Sequence, residues 1–151
     1  MDRFESNIIS HLSLVVRDIE KTARNYSELF GVPMPEIIHE DESSGCRSTY
    51  AGREINAAYK IAFIRMGLIT LELIQPGDAK SVWKDFLEHN GEGIHHMGFN
   101  MKNGEETLSF LQDKGLNIIQ KTENKWGKNY YVDTHSLLGV MLELCEKQKT
   151  K

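Results

Sequence analysis

This sequence has no excess of basic residues. Its 151 residues include 18 Lys and Arg against 22 Asp and Glu, which gives a net charge of -4. A nucleic-acid-binding domain normally carries a basic patch or stripe. The charge balance therefore argues against that class of function, and we expect no nucleic-acid partner.

Cysteine is scarce, and long apolar runs are absent. Cys46 and Cys145 are the only cysteines and form no Cys-x-x-Cys pair, which is typical of free thiols in a reducing compartment. No apolar run approaches the roughly 20 residues that a membrane-spanning helix needs. The first residues show no signal-peptide pattern. We therefore expect a cytoplasmic protein without a membrane partner.

The length fits one domain, residues 1–151, with a hydrophobic core. The pattern in the first half predicts a strand at Ile8 to Val16 and then a helix that begins after Asp18 and ends at Gly31. Residues 36–54 are polar, and we expect part strand and part loop. A hairpin is predicted across residues 57–74.

The pattern restarts in the second half. A helix at residues 81–90 links the halves, and a second strand and helix follow, with Asn103 as the helix cap. The segments that complete this half are strands at 116–120, 130–134 and 139–144, with a polar loop at 124–129.

Two strands with histidine and two with glutamate indicate an internal repeat. Aligning His11 with His96 gives an offset of 85 (96 − 11). Glu72 and Glu143, each set between leucines, differ by 71 (143 − 72), so the first unit is longer by 14 (85 − 71). The excess falls within residues 36–58. A duplication of this kind predicts that two curved units face each other across one cavity.

His11, Glu72, His96 and Glu143 are the predicted ligands of a metal ion in that cavity. Two imidazoles and two carboxylates form a mixed nitrogen and oxygen set that suits one divalent ion of Zn, Co, Ni, Mn or Fe. Such a set leaves open positions for water or for two adjacent substrate oxygens.

His95 competes with His96 for the same role. Adjacent strand residues face opposite sides of a sheet, so only one of them is expected to enter the cavity. The repeat pairs His96 with His11, and we therefore assign His96 to the metal. For His95 we expect either a contact between subunits or a contact to a ligand residue.

These features resemble the vicinal oxygen chelate superfamily of glyoxalase I, methylmalonyl-CoA epimerase, extradiol dioxygenases and antibiotic-resistance proteins. The resemblance implies an α+β fold of two tandem βαβββ modules, which form a half-open, eight-stranded barrel-like sheet around one metal, often in a homodimer. Module one would cover about residues 7–75, the linking helix about 76–92 and module two about 93–146. The matching phrases are Ser10-His11-Leu12, Leu71-Glu72-Leu73-Ile74-Gln75-Pro76, Glu92-Gly93-Ile94-His95-His96-Met97 and Leu142-Glu143-Leu144.

The resemblance also implies a reaction, which is proton transfer α to a carbonyl through a metal-bound enolate, with Glu143 as a ligand that exchanges protons. The histidine phrase looks most like methylmalonyl-CoA epimerase, which needs a second acid/base group in the second strand region of module one. Residues 57–66 contain no carboxylate, so Glu54 becomes the second catalytic candidate, with Tyr59 and Lys60 as alternatives.

The resemblance implies a small-molecule substrate, possibly a coenzyme A or glutathione thioester. Lys125, Lys128 and Arg53 are candidate cationic contacts, and Trp126 is a candidate apolar wall. Alternatives are a glyoxalase I-type lactoylglutathione lyase and a non-catalytic small-molecule binding or resistance protein. Extradiol dioxygenases use three protein ligands, so the fourth carboxylate argues against that activity.

Overall fold

The computed structural model describes residues 2–148. No helix within that range is long and apolar enough to cross a membrane. The helices and strands are β1 His11–Val15, α1 Ile19–Phe30, β2 Ile38–Glu40, β3 Arg47–Tyr50, β4 Arg53–Ile55, β5 Tyr59–Met66, β6 Ile69–Pro76, α2 Val82–Asn90, β7 Gly93–Asn100, α3 Gly104–Asp113, β8 Ile118–Asn124, β9 Gly127–Val132, α4 His135–Leu138 and β10 Met141–Lys147, with a 3-10 turn at Glu42–Ser44.

The strands form one curled sheet in the order β2-β5-β6-β1-β7-β10-β9-β8-β3-β4. The first four strands in this order belong to the first half of the chain and the next four to the second half. Each half reads strand, helix and three strands, and β1 and β7 pair antiparallel where the halves meet. The predicted α+β fold of two βαβββ modules is therefore confirmed.

The sheet has ten strands, so the expected count of eight is wrong. The additional pair, β3 and β4, lies mostly within residues 36–54. The polar composition of that segment gave no strand pattern from which a hairpin could be predicted. Its turn is Ala51-Gly52, and both residues have positive φ, 49° and 78°. β3 pairs with β8 of module two, whereas β2 pairs with β5 of module one. The chain between β2 and β3 therefore passes from one module to the other.

A second difference concerns the polar loop expected at residues 124–129. Most of it belongs to strands, because β8 runs to Asn124 and β9 begins at Gly127. Lys125 and Trp126 alone form the turn. This longer hairpin reaches module one, where the Asn124 side chain donates to the Tyr59 hydroxyl at 3.3 Å.

The helix signals agree with the structure. The Asp18 side chain accepts a hydrogen bond from the backbone N–H of Lys21, and Gly31 closes α1 in the left-handed conformation. Asn103 caps α3 by accepting from the N–H of Glu106. Both predicted caps are therefore confirmed, and they fix where each helix leaves its strand.

Strand alternation separates the two faces of the sheet. Leu71 and Leu73 of β6 pack in the cluster under α1, so Glu72 between them faces the other side. Leu142 and Leu144 of β10 pack in the cluster under α3, so Glu143 faces the concave side in the same way. Apolar packing on the helix side thereby positions both glutamates.

Candidate metal centre

Four side chains from the central strands meet on the concave face of the sheet. They are His11 of β1, Glu72 of β6, His96 of β7 and Glu143 of β10, and their ligand atoms all lie within 4.8 Å of one another. Two come from each module, in matching places in the strand order. The structure therefore brings together all four residues that the repeat singled out.

Glu143 lies closest to both rings. Its Oε2 is 2.6 Å from Nε2 of His11 and 2.8 Å from Nε2 of His96. Glu72 stands slightly further back, with oxygens 3.7 Å and 3.4 Å from the same two nitrogens. The two Nε2 atoms are 3.3 Å apart, so both rings direct the same nitrogen at one point.

The cluster is buried, and its charges are strongly coupled. Burial alone would lower the pKa of His96, but the carboxylates of Glu143 and Glu72 raise it to about 9. Burial alone would raise the pKa of Glu143, but the rings of His96 and His11 hold it well below its usual value. The rings and the carboxylates therefore shift one another's pKa values in opposite directions.

The residues fit a divalent cation. Oε1 of Glu72 is buried, and no hydrogen-bond partner for it exists among the described residues. A buried carboxylate oxygen without a hydrogen bond is costly, and a bound cation would remove that cost. Two imidazole nitrogens and two carboxylates form a donor set typical of Zn and other first-row transition ions.

Gly98 makes room for the His11 ring. The two residues are partners across β1 and β7. A Cβ atom at position 98 would lie 1.9 Å from Cε1 of His11, a distance that no packing tolerates. Glycine is therefore required here for close approach of the ring. Gly98 follows the predicted ligand His96 by two residues on β7 and leaves space for the other predicted histidine ligand, His11.

His95 breaks the alternation that was expected of β7. The register of β1 against β7 shifts between Ser13, opposite His96, and Leu14, opposite Ile94, so His95 is the extra residue of a β-bulge. His95 is buried, and its Nδ1 lies 2.8 Å from Nδ1 of His96. The structure thus places His95 in contact with His96, the predicted ligand, as one of its two expected roles requires.

A cavity of about 360 Å³ opens beside the cluster. Its walls carry five aromatic side chains from both modules and several asparagines. His11, Glu72 and Glu143 line the same cavity, so a ligand within it reaches the cluster directly. The aromatic residues are Tyr59, Phe63, Trp83, Trp126 and Tyr131.

Glu40 is the carboxylate that the sequence analysis missed. The second strand of module one is Ile38–Glu40, within the segment expected to be irregular, and not residues 57–66. Glu40 pairs with Tyr59, and paired residues share one face of a sheet. Tyr59 lines the cavity, so Glu40 lies on the cavity side. The side chain is 1% exposed, and its Oε1 has no hydrogen-bond partner within residues 2–148.

Ser44 holds the other oxygen of this carboxylate. Its hydroxyl donates to Oε2 of Glu40 at 2.6 Å, and Lys125 places its Nζ 3.9 Å from Oε1. One oxygen is thus fixed by a hydrogen bond, and the other has no hydrogen-bond partner among the described residues. A signal existed in the repeat: the helix-ending glycines, Gly31 and Gly115, are offset by 84 (115 − 31), and that offset pairs Glu40 with Asn124, which lines the cavity.

Glu54, the second catalytic candidate, lies elsewhere. It is exposed on β4 and lines a different, polar cavity of about 590 Å³ together with Lys121 and Glu123. Of the two alternatives to it, Tyr59 lines the metal-side cavity, and Lys60 forms an ion pair with Glu20 at 3.1 Å. The structure therefore does not bring Glu54 to the cluster.

Trp126 lines the metal-side cavity, and its ring meets Phe63 edge-on, with centroids 6.0 Å apart. Lys125 stands over the Trp126 ring at the rim. Arg53 is exposed at the edge of the sheet on β4, and Lys128 is half-buried on β9. Of the four residues predicted to contact a thioester, Trp126 lines the cavity and Lys125 lies against its ring.

The family model described as the Glyoxalase/Bleomycin resistance protein/Dioxygenase superfamily matches residues 10–132. The matched range contains three members of the cluster together with Glu40. It covers most of the chain, from the start of β1 to the end of β9.

The uncharacterized protein YqjC of Bacillus subtilis (strain 168) is 27% identical over 143 residues, covering 93% of this chain and 92% of that protein. The crystal structure of hypothetical protein BH1468 from Bacillus halodurans C-125 aligns with a TM-score of 0.69 and 26% identity, over 97% of this chain and 99% of that one. A variant of methylmalonyl-CoA epimerase from Streptomyces coelicolor, in complex with 2-nitronate-propionyl-CoA, aligns with a TM-score of 0.68 and 21% identity, over 95% of this chain and 96% of that one.

Proposed function

The chain belongs to the Glyoxalase/Bleomycin resistance protein/Dioxygenase superfamily, and on that premise we propose that it is a metal-dependent enzyme that transfers a proton α to a carbonyl, as methylmalonyl-CoA epimerase does. The observation that carries this proposal is the convergence of His11, Glu72, His96 and Glu143 within 4.8 Å beside a cavity. In this proposal those four side chains hold one divalent ion.

A divalent ion held there supplies electrostatic stabilisation of the negative charge that develops on a substrate carbonyl oxygen. The chain's own residues do the rest. Aromatic side chains from both modules line the cavity, and Glu143 accepts a hydrogen bond from the Tyr131 hydroxyl at 3.1 Å through its Oε1. That bond orients the carboxylate while Oε2 faces the histidines.

An epimerase needs two proton-transfer groups, one on each face of the reacting carbon. We assign these roles to Glu143 and Glu40. They stand in different modules, on β10 and β2, which are separated in the sheet by β5, β6, β1 and β7. Glu143 lines the cavity, and Glu40 lies beside Tyr59, which lines the cavity from the other module. One group removes the proton, and the other delivers a proton to the opposite face.

The substrate in this proposal is a small acyl thioester. A cavity of about 360 Å³ takes an acyl group but not a whole coenzyme, so the carrier would extend past the rim near Lys125 and Trp126. Binding of 2-nitronate-propionyl-CoA by the Streptomyces coelicolor epimerase supports this substrate class. The expected homodimer stays a prediction.

The test is hydrogen exchange at the α-carbon of methylmalonyl-CoA in deuterated water, with metal-loaded protein. We expect incorporation of deuterium, and we expect Glu40→Gln to slow epimerisation by about 10²–10⁴-fold, the usual contribution of a proton-transfer group. Metal affinity should not change, because Glu40 is not in the cluster. Glu36→Gln, at an exposed position before β2, is the matched control and should behave as wild type.

Absence of exchange in metal-loaded protein would contradict the epimerase activity. Formation of S-lactoylglutathione from the glutathione hemithioacetal of methylglyoxal would instead support the glyoxalase I-type alternative. Tight binding of a small ligand without turnover of either substrate would support a non-catalytic binding protein.

A further inference from the structure

We propose that the residue immediately before each cluster histidine, Ser10 before His11 and His95 before His96, is a positioning residue that fixes which ring nitrogen carries a proton. This proposal rests on the proposed metal site and concerns how neighbouring residues orient its two histidine rings. The offset that pairs the two histidines also pairs Ser10 with His95. The repeat thus places a polar contact at the same point in both modules.

In module one the contact is a hydroxyl. Oγ of Ser10 lies 3.0 Å from Nδ1 of His11 and donates its own hydrogen to the carbonyl oxygen of Gly98 at 3.0 Å. A hydroxyl has one hydrogen to donate, so Oγ must accept from the ring. Nδ1 of His11 therefore carries a proton, and Nε2 is the nitrogen left for the cluster.

In module two the contact is another imidazole. Nδ1 of His95 lies 2.8 Å from Nδ1 of His96, and one of these atoms must donate and the other accept. Nε2 of His96 faces the cluster, at 2.8 Å from Oε2 of Glu143, and a neutral imidazole that binds an ion through Nε2 carries its proton on Nδ1. A neutral imidazole has one donor and one acceptor, so Nδ1 of His95 accepts, and His96 carries its proton on Nδ1.

The two arrangements end in the same result. Each histidine donates from Nδ1 to its preceding residue and directs Nε2 at Oε2 of Glu143, at 2.6 Å for His11 and 2.8 Å for His96. Hydrogen bonds of this kind orient metal-binding histidines and raise their basicity. The bulge at His95 makes the second contact possible, because regular alternation would turn that ring to the other face.

The anchors differ between the modules. Ser10 is tied to β7 by its hydrogen bond to Gly98, whereas the ring of His95 packs edge-on against Phe86 of the linking helix α2, with centroids 5.1 Å apart.

The experiment compares Ser10→Ala and His95→Phe, which remove the acceptors, with Ser10→Thr and His95→Asn, which keep an oxygen there. Zinc affinity is measured by competition with a chelator, and NMR follows the Nδ1–H protons of His11 and His96. The removal variants should each lose about 10–100-fold in affinity, and the matching Nδ1–H signal should move upfield. The conservative variants should recover most of both, and the exposed controls Ser109→Ala and His89→Phe should change neither.

Unchanged affinity together with unchanged Nδ1–H signals in folded Ser10→Ala and His95→Phe would overturn the inference. Equal losses in the conservative variants would also overturn it, because they would indicate a packing effect. If the wild-type protein binds no zinc, the proposed function fails, and the Nδ1–H signals of the metal-free protein still decide the inference separately.

Discussion

At the scale of single residues, the candidate site depends on a few closely placed atoms. Nε2 of His11, Nε2 of His96 and Oε2 of Glu143 lie within 3.3 Å of one another. Glu72 contributes Oε1, which is buried, lies 3.4 Å from Nε2 of His96 and has no hydrogen-bond partner in the described range. Ser10 and His95 contact the Nδ1 atoms of the two rings, on the side away from the cluster. Substitutions at these contacts should therefore lower metal affinity more than they lower the stability of the fold.

Gly98 provides the clearest residue-scale prediction. In Gly98→Ala the new methyl group would occupy the space of the His11 ring, 1.9 Å from Cε1, so the ring must move out of the cluster. We expect zinc affinity to fall by at least about 100-fold, as for loss of a ligand contact. The measurement is chelator competition on folded protein.

Gly115→Ala is the control for this change. Gly115 has a φ of +69° and open space around it, so alanine there adds backbone strain of about 1–2 kcal/mol without touching the site. Stability should fall while zinc affinity stays at the wild-type value. Equal zinc affinity in Gly98→Ala and wild type would show that His11 is not a ligand.

At the scale of secondary-structure elements, α1 supports the sheet behind the site. Ile19 is fully buried in the cluster formed with β5 and β6. Ile19→Ala should lower the free energy of unfolding by about 2–5 kcal/mol, because it leaves a cavity in that cluster. Urea unfolding measures the change, and Leu29→Ala, at a position of α1 that is 80% exposed, should stay within about 0.5 kcal/mol of wild type. A similar loss in both variants would contradict this packing.

The β8–β9 turn is the element that bounds the mouth of the cavity. Trp126 contacts Phe63 of β5 across the cavity, an aromatic contact worth about 0.5–1.5 kcal/mol. Trp126→Ala should raise KM for the substrate about 2- to 12-fold and leave zinc affinity unchanged, whereas Trp126→Phe should stay near wild type. Steady-state kinetics with a metal titration checks both, and a loss of metal affinity in Trp126→Ala would contradict the assignment.

Elements also show how far the sequence could predict this structure. The cluster was predictable from two signals in the sequence. Strand periodicity gives the face of each residue, and the repeat places His11 and His96 on equivalent faces. β2 was not, because three residues in a polar segment carry too little periodicity, and Glu40 was missed with it. The position of β3 could not be predicted for another reason. Its partner, β8, lies in the other module, and pairing between strands so distant in sequence leaves no local pattern.

At the scale of the whole molecule, one bound ion would join the two modules. Its ligands come from β1 and β6 of one module and from β7 and β10 of the other. An ion that binds only the folded chain stabilises it by about 2.7 kcal/mol when its free concentration is 100 times Kd. We therefore expect Tm to rise on zinc addition and to return on chelation. Calorimetry checks this, and Glu143→Gln should abolish the shift.

The most direct measurement is a calorimetric titration of zinc into chelator-treated protein, repeated with Glu72→Gln and with the exposed control Glu105→Gln. The account predicts one ion per chain in the wild type and in Glu105→Gln, and affinity at least about tenfold lower in Glu72→Gln. No binding in the wild type, or equal binding in all three proteins, would contradict the claim that His11, Glu72, His96 and Glu143 form a metal centre.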